Sequence, residues 1–406
     1  MKIVNPIRPP YILLPKAGVD LRLFAVIACD QFTSQPDYWN ELKAEIGASP
    51  STFHMIFPEA YLPLVNETKY IASINETINS YLHHDILQDV GACFILVERE
   101  TPHTKRRLGL VISVDLEAYS YEKGTKALIR ATEATIVERI PPRLKIRENA
   151  PVELTHVQFL FDDPHKTIIE KLYQNRDSLH LLYDFDLNQN GGHLRGYKIT
   201  DTQPIIDAFS RLTIENGNGL MFVVGDGNHS LATAKAHWDR VKVSLSEKEK
   251  DAHPARFALV EAINLYDDGL DFEPIHRVVF NIKEDFVPGL RQVVSGTFEA
   301  HVYCKPKGQA SLFVPENAPL AYRLIQDYID QYLKNNPGTS VDYVHDIAHA
   351  HEVANQHPEA VAIAMPALTK KDLFDYIAKG DVLPRKTFSM GHAIEKRYYL
   401  ECKRIK

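Results

Sequence analysis

Leu220-Met221-Phe222-Val223-Val224-Gly225-Asp226-Gly227-Asn228-His229-Ser230 is the most informative stretch of the chain. Its first five residues are apolar and rich in β-formers, which reads as a short buried strand. Residues 230–238, with Leu231, Ala232, Ala234 and Ala236, read as a helix. Strand, glycine loop and helix in that order predict an α/β protein with the loop at one edge of the sheet. Glycine permits positive φ and close approach of the backbone to a ligand. The helix after it offers free N–H groups and a positive dipole end, which suit an anion such as phosphate. Asp226 could orient a metal ion or a proton, and His229 could donate to a phosphate oxygen or act as an acid–base group. An Asp-Gly turn with Asn228 or Ser230 as an ordinary helix N-cap fits the same residues. The loop is neither a Walker loop nor a Gly-x-Gly-x-x-Gly fingerprint.

The flanking sequence alternates between the two periods. Residues 92–97 and 108–116 are apolar runs around the turn Thr101-Pro102-His103-Thr104-Lys105, so a hairpin is expected. Residues 157–161 read as a strand, and 179–186 with 193–199 as a second hairpin. Further strands are expected at 258–263, 275–280 and 360–364. Leu324, Ile325, Tyr328, Ile329, Tyr332 and Leu333 recur at helical spacing, and residues 370–379 read as another helix. The expectation is a mixed α/β sheet in three parts: 1–90, a core at 91–283 carrying the loop, and a C-terminal lobe at 284–406.

Composition narrows the function. The 406 residues are 45% hydrophobic and 24% charged, which excludes disordered and collagenous chains. The 46 Lys+Arg against 53 Asp+Glu give a net charge of −7, so nucleic acid is an unfavoured partner. Cys29, Cys93, Cys304 and Cys402 are scattered, so neither a disulfide nor a zinc ribbon is expected. His345 and His349 have i,i+4 spacing and His351 is close by, but the zincin pattern is missing and no zinc is expected. No apolar run approaches about 18 residues, so no membrane span is expected. Reduced thiols and an N-terminus without a signal core point to the cytoplasm.

Other residues could carry chemistry. Residues 130–147 hold Arg130, Glu133, Thr135, Glu138, Arg139, Arg143, Lys145 and Arg147. Arginines suit planar anions, and Glu133 among them could be a base or metal ligand. The same set could be a solvated helix face. His276-Arg277 lies in an apolar strand, where a cation needs a ligand or a paired acid unless the strand alternates into water. Lys386 follows Pro384 and could add a phosphate contact.

Residues 222–230 resemble the Asp-Gly-His-His-Arg signature of the domain-of-unknown-function 1015 family, with Asn228 at its first His and Ser230 at its Arg. Ala28-Cys29-Asp30-Gln31-Phe32, Arg130-Ala131-Thr132-Glu133-Ala134-Thr135, Pro274-Ile275-His276-Arg277-Val278 and Pro384-Arg385-Lys386-Thr387 are similar to four further blocks. The resemblance implies a ParB/sulfiredoxin-like core, distantly akin to the free-serine kinases, with N- and C-terminal elaborations. It implies an enzyme of phosphoryl transfer or hydrolysis on a phosphate-bearing small molecule or nucleotide, in serine-type amino-acid metabolism. Asp226 would hold Mg²⁺, with Asp226, His229 and Glu133 catalytic. Gly225, Gly227, Asn228, Ser230, Arg130, Arg143, His276, Arg277 and Lys386 would bind the substrate. A non-catalytic metabolite-binding protein and a ParB-like nucleotide-sensing module that associates with DNA are the alternatives. Asp226, His229 and Glu133 are expected to line one pocket.

Overall fold

A computed structural model describes residues 5–135, 140–305 and 308–406. Glu138 and Arg139 of the Arg130–Arg147 set lie outside the described residues. The chain forms two compact units, one of residues 1–131, 135–270 and 392–406, the other of 132–134 and 271–391. The change of unit therefore falls at Leu270/Asp271 rather than at the expected 283/284. Residues 392–406 return to the first unit because they are paired there. Tyr398–Tyr399 lies against Val26–Ile27, and Cys402–Arg404 against Val152–Leu154 and Tyr11–Pro15.

The first unit is built on a ten-stranded mixed sheet. Its strands are β1 (Ile7–Arg8), β2 (Phe94–Glu100), β3 (Arg107–Asp115), β4 (Tyr119–Ser120) and β5 (Ile129–Ala131), then β6 (Gln158–Phe161), β7 (His180–Asp186), β8 (His193–Ile199), β9 (Phe222–Asp226) and β10 (Phe257–Asn264). They run in the order β7-β8-β2-β3-β10-β6-β9-β5-β4, with β1 on β3. The pairs β2–β3 and β7–β8 are the two expected hairpins. β6–β10, β9–β5 and β5–β4 are parallel and the other pairs antiparallel. The α/β class and mixed sheet read from the sequence are thus what the chain adopts.

The helices of the first unit include α1 (Glu67–His83), α2 (Ile140–Asn149) and α3 (Asn228–Val241). Ile71, Ile74 and Ile78 bury one face of α1, and Leu231, Ala234 and Trp238 one face of α3. β10 is buried along its whole length, consistent with its near-continuous apolar run. Trp39 and Trp238 are both core residues, as packing roles require.

The second unit holds a five-stranded sheet of β11 (His276–Phe280), β12 (Phe298–Cys304), β13 (Gly308–Val314), β14 (Ser340–Val344) and β15 (Ala360–Ile363), in the order β13-β12-β15-β11-β14. Its helices include α4 (Ala318–Asn335), α5 (Ile347–Gln356) and α6 (Lys370–Ala378). Tyr322, Ile325 and Ile329 bury the apolar stripe that the spacing of α4 predicts. α5 begins after His345, so His345 and His349 do not share a helix face.

Candidate functional site

β9 ends at Asp226 and α3 begins at Asn228. Gly227 between them is the helix N-cap, at φ +85, and has no side chain with which to cap α3. Asn228 and Ser230 are therefore first-turn residues rather than caps. A Cβ at Gly227 would lie 3.1 Å from Val157 Cα and 3.4 Å from His156 Nε2. The position thus demands glycine for its dihedral and for its space. The N-terminus of a helix, where the backbone dipole is positive, is a place for an anion.

Side chains from distant segments gather beside this turn. Ser230 Oγ is 3.0 Å from His156 Nε2, and His156 Nδ1 is 3.1 Å from the Tyr399 hydroxyl. Tyr399 donates to Cys29 Sγ at 3.2 Å. Burial, reinforced by the Asp30 charge, pushes the Cys29 thiol up to about 12, so it stays protonated and is no nucleophile. Burial would also raise Asp30. His156, the Gln31 amide, Lys396 and Arg143 outweigh it and hold the Asp30 carboxyl below its ordinary range. Asp226 Oδ1 accepts from Gly227 N–H at 2.9 Å, and its Oδ2 is 3.6 Å from the buried Lys396 ammonium. Arg143, on α2, pairs with Glu59. His229 is half-buried in the first turn of α3, and its carbonyl accepts from Thr233 Oγ1 at 2.7 Å.

A buried ionic frame holds the segment that delivers Lys396. Arg397 lies 3.3 Å from Glu261 and also pairs with Glu401, which accepts from the Tyr183 hydroxyl. Burial alone would lower the Arg397 pKa, but the Glu401 and Glu261 carboxylates raise it. Gln158, backbone partner of Asp226, donates to Glu261 Oε2 at 3.1 Å. Gly109 leaves the space that Glu261 needs, since a Cβ there would sit 2.1 Å from Glu261 Oε1. Arg99 donates to the carbonyls of Gly191, Ile394 and Lys396 at 2.7, 3.2 and 3.3 Å.

The remaining expected site residues have other surroundings. Arg130 is buried on β5, with Nε donating to Ala127 O at 2.8 Å, so its position does not offer the open guanidinium expected of it. Glu133 belongs to the second unit. There its carboxylate accepts from the N–H groups of Lys386 and Thr387, each at 3.1 Å. Burial raises the Glu133 pKa against the pull of those two bonds. Arg277 is fully buried between Tyr322 and Tyr343 and donates to Gln326 Oε1 and to the carbonyls of Ile275, Lys386 and Arg385. The cation in the apolar strand is thus solvated by amide and carbonyl oxygens of the protein. Lys386 is exposed, at φ +57.

His276 is buried too, and its Nδ1 accepts from Met365 N–H at 3.0 Å. Burial, with the Arg277 charge, pushes its pKa down from 6.5 to about 4. The unfolded chain takes up this proton near pH 6.5 and the folded chain only near pH 4. Stability from this group is therefore full above pH 6.5 and is lost as pH falls towards 4, by roughly 1–3 kcal/mol. His276→Gln should flatten that part of the stability–pH curve in urea titrations at pH 7.5 and 4.5. An unchanged slope would remove His276 as its source.

The donor set bears on Mg²⁺. Among the described residues no three His, Cys, Asp or Glu side chains are grouped to hold a metal ion. Lys396 already places a cation beside Asp226. The residues present thus do not fit a resident Mg²⁺ at Asp226. The structure brings Asp226, Ser230, His156, Tyr399, Cys29, Asp30 and Lys396 together in one unit, with Glu133, His276, Arg277 and Lys386 in the other. His156, Tyr399 and Lys396 carry no local motif. Asp30 had a signal, in the block Ala28-Cys29-Asp30-Gln31-Phe32.

Residues 13–361 match the model of a family described as protein of unknown function (DUF1015). No curated protein matches the chain. Among solved structures, one of a free serine kinase in complex with AMP is similar at 8% identity and a TM-score of 0.41, covering 73% of this chain and 92% of that one. A conserved hypothetical protein from Pyrococcus furiosus is similar at 7% identity and a TM-score of 0.35, covering 71% and 90%. SbnI from Staphylococcus aureus, truncated at its C-terminus, is similar at 10% identity and a TM-score of 0.39, covering 69% and 82%. No described helix is long and apolar enough to cross a membrane.

Proposed function

For a chain that belongs to the DUF1015 family of proteins of unknown function, we propose that the first unit binds a phosphate-bearing small molecule at the N-terminus of α3 and transfers its phosphoryl group. The observation that carries this reading is the glycine-opened N-terminus of α3 with the buried Lys396 beside Asp226. Helix amides and one fixed cation are what a phosphoryl group needs, because its transfer rests mainly on positioning and charge stabilisation. His229 and Ser230 in the first turn add donors. Asp226 anchors Lys396, and the ionised Asp30 orients the hydroxyl that receives the phosphoryl group. Glu133, His276, Arg277 and Lys386 belong to the second unit and take no part in this reading. A binding protein without turnover is the second reading, favoured by Ser230 at the place of the signature Arg.

Calorimetric titration with inorganic phosphate, AMP and ADP tests the site, with and without Mg²⁺. AMP and ADP are chosen because the free serine kinase structures hold them. At least one phosphate ligand should bind, and Lys396→Met should weaken it by about tenfold or more, the worth of one charge-assisted bond. No binding by any of the three, or binding indifferent to Lys396→Met, would sink the proposal.

A further inference from the structure

A cavity of about 210 Å³ lies in the first unit, with Ser230 in its lining. Its wall is mainly apolar: Ile74 and Ile78 from α1, Ile146 from α2, Leu231 and Ala234 from α3, and Leu259 from β10. Most of these side chains are core residues, and the exposed Leu62 and Pro142 in the lining mark where the space opens to the surface. Its polar lining includes Ser230, His156, Tyr399 and Cys29, the group gathered beside the first turn of α3. Protein interiors hold few voids larger than a water molecule. An apolar void of about 150 Å³ stays dry and accepts benzene. A space of this size and polarity, joined to a cluster of hydrogen-bonding side chains, has the form of a small-molecule site.

We propose that this cavity takes the apolar body of a small alcohol or its phosphate ester, of about one aromatic ring or a short branched chain, with the oxygen end at Ser230 and His156. The direction of that oxygen end rests on the phosphate reading of the α3 N-terminus; the apolar body does not. The charged side chains in the lining are engaged with partners of their own, Arg143 with Glu59, Arg147 with Glu153 and Glu67 with Lys145, so a compact zwitterion would have to displace one of these pairs. The substrate class is therefore an apolar-bodied alcohol, in contrast to the serine-type amino acid that the family resemblance implies. Ala234, buried on the cavity-facing side of α3, has the side chain to enlarge if the space is to be filled from within.

The test titrates the full chain with phenethyl alcohol, phenethyl phosphate, serine and inorganic phosphate, by calorimetry and thermal shift. Phenethyl alcohol should bind where serine does not, and phenethyl phosphate should bind at least about tenfold tighter than inorganic phosphate, as burial of several apolar carbons implies. Ala234→Leu should fill the space, abolish the response to phenethyl alcohol and keep or raise the melting temperature. Ala150→Val fills it from α2's end if the first variant fails to fold. Phenethyl alcohol binding without phosphate binding would uphold the cavity and remove the phosphate reading. Phosphate binding with no gain from the phenethyl group would overturn the cavity proposal and leave that reading standing. A response to phenethyl alcohol that survives the filling variant would also overturn it.

Discussion

Arg397→Met should lower the unfolding free energy of the first unit by about 3–5 kcal/mol, the cost of breaking a buried ion pair from one side. Arg397 is 2% exposed, and the carboxylates it faces, Glu261 and Glu401, are buried as well. Methionine fills much of the same volume, so the loss is of charge rather than of packing. Two carboxylates would then remain inside the protein, with the Gln158 amide and the Tyr183 hydroxyl as their hydrogen-bond donors. Urea unfolding at pH 7, read on the transition of the first unit, checks the expectation. A midpoint shift equivalent to less than about 1 kcal/mol, the size of an ordinary surface substitution, would mean that water reaches the pair. The triple variant Glu261→Leu, Arg397→Met, Glu401→Leu should recover part of the loss, because an apolar replacement of a whole buried ion pair is often neutral. Losing the frame also releases the segment that carries Lys396, so the single variant should weaken phosphate binding at temperatures where it is still folded.

What could be read from the sequence divides along physical lines. β9 and α3 were legible because an apolar run, a glycine pair and an alanine-rich segment are local signals, each within a few residues of the next. The hairpins β2–β3 and β7–β8 were legible for the same reason. The return of residues 392–406 to the first unit was not. It rests on Tyr398–Tyr399 pairing with Val26–Ile27, more than three hundred residues away, and no local pattern records that. With it went Lys396 and Tyr399 of the site, and Arg397 of the frame that holds them. Arg277 failed differently. The reasoning that a cation in an apolar strand needs a partner was sound, but besides Gln326 Oε1 the partners are backbone carbonyls of Ile275, Arg385 and Lys386. Acceptors of that kind belong to every residue and are invisible in a sequence. The alternative of Asn228 or Ser230 as N-cap of α3 rested on the general preference of those residues for caps. Gly227 took the position because Val157 and His156 leave no room for a side chain there.

His229→Ala is expected to abolish turnover while leaving the fold intact. His229 stands in the first turn of α3, half-buried, next to the Gly227 cap. An imidazole there can add a donor to the anion that the helix amides already face, and its neutral form does so without the cost of a buried charge. Losing one such donor costs roughly 2–4 kcal/mol in a transition state, about a hundred- to a thousandfold in rate. The ground-state ligand should weaken less, since phosphoryl charge is greatest during transfer. The expected pattern is therefore a rate that collapses, an affinity that falls by about tenfold at most, the size of one hydrogen bond, and a melting temperature close to the parent's. The opposite pattern belongs to a histidine that only packs: a lowered melting temperature with affinity unchanged in the surviving folded protein. Melting curves and calorimetry with the best phosphate ligand, run beside ³¹P detection of transfer, separate the two. His229→Asn, which keeps a donor near the ring's Nδ1 position, should recover part of the rate if hydrogen bonding is the role. It should recover none if the ring must also carry a proton.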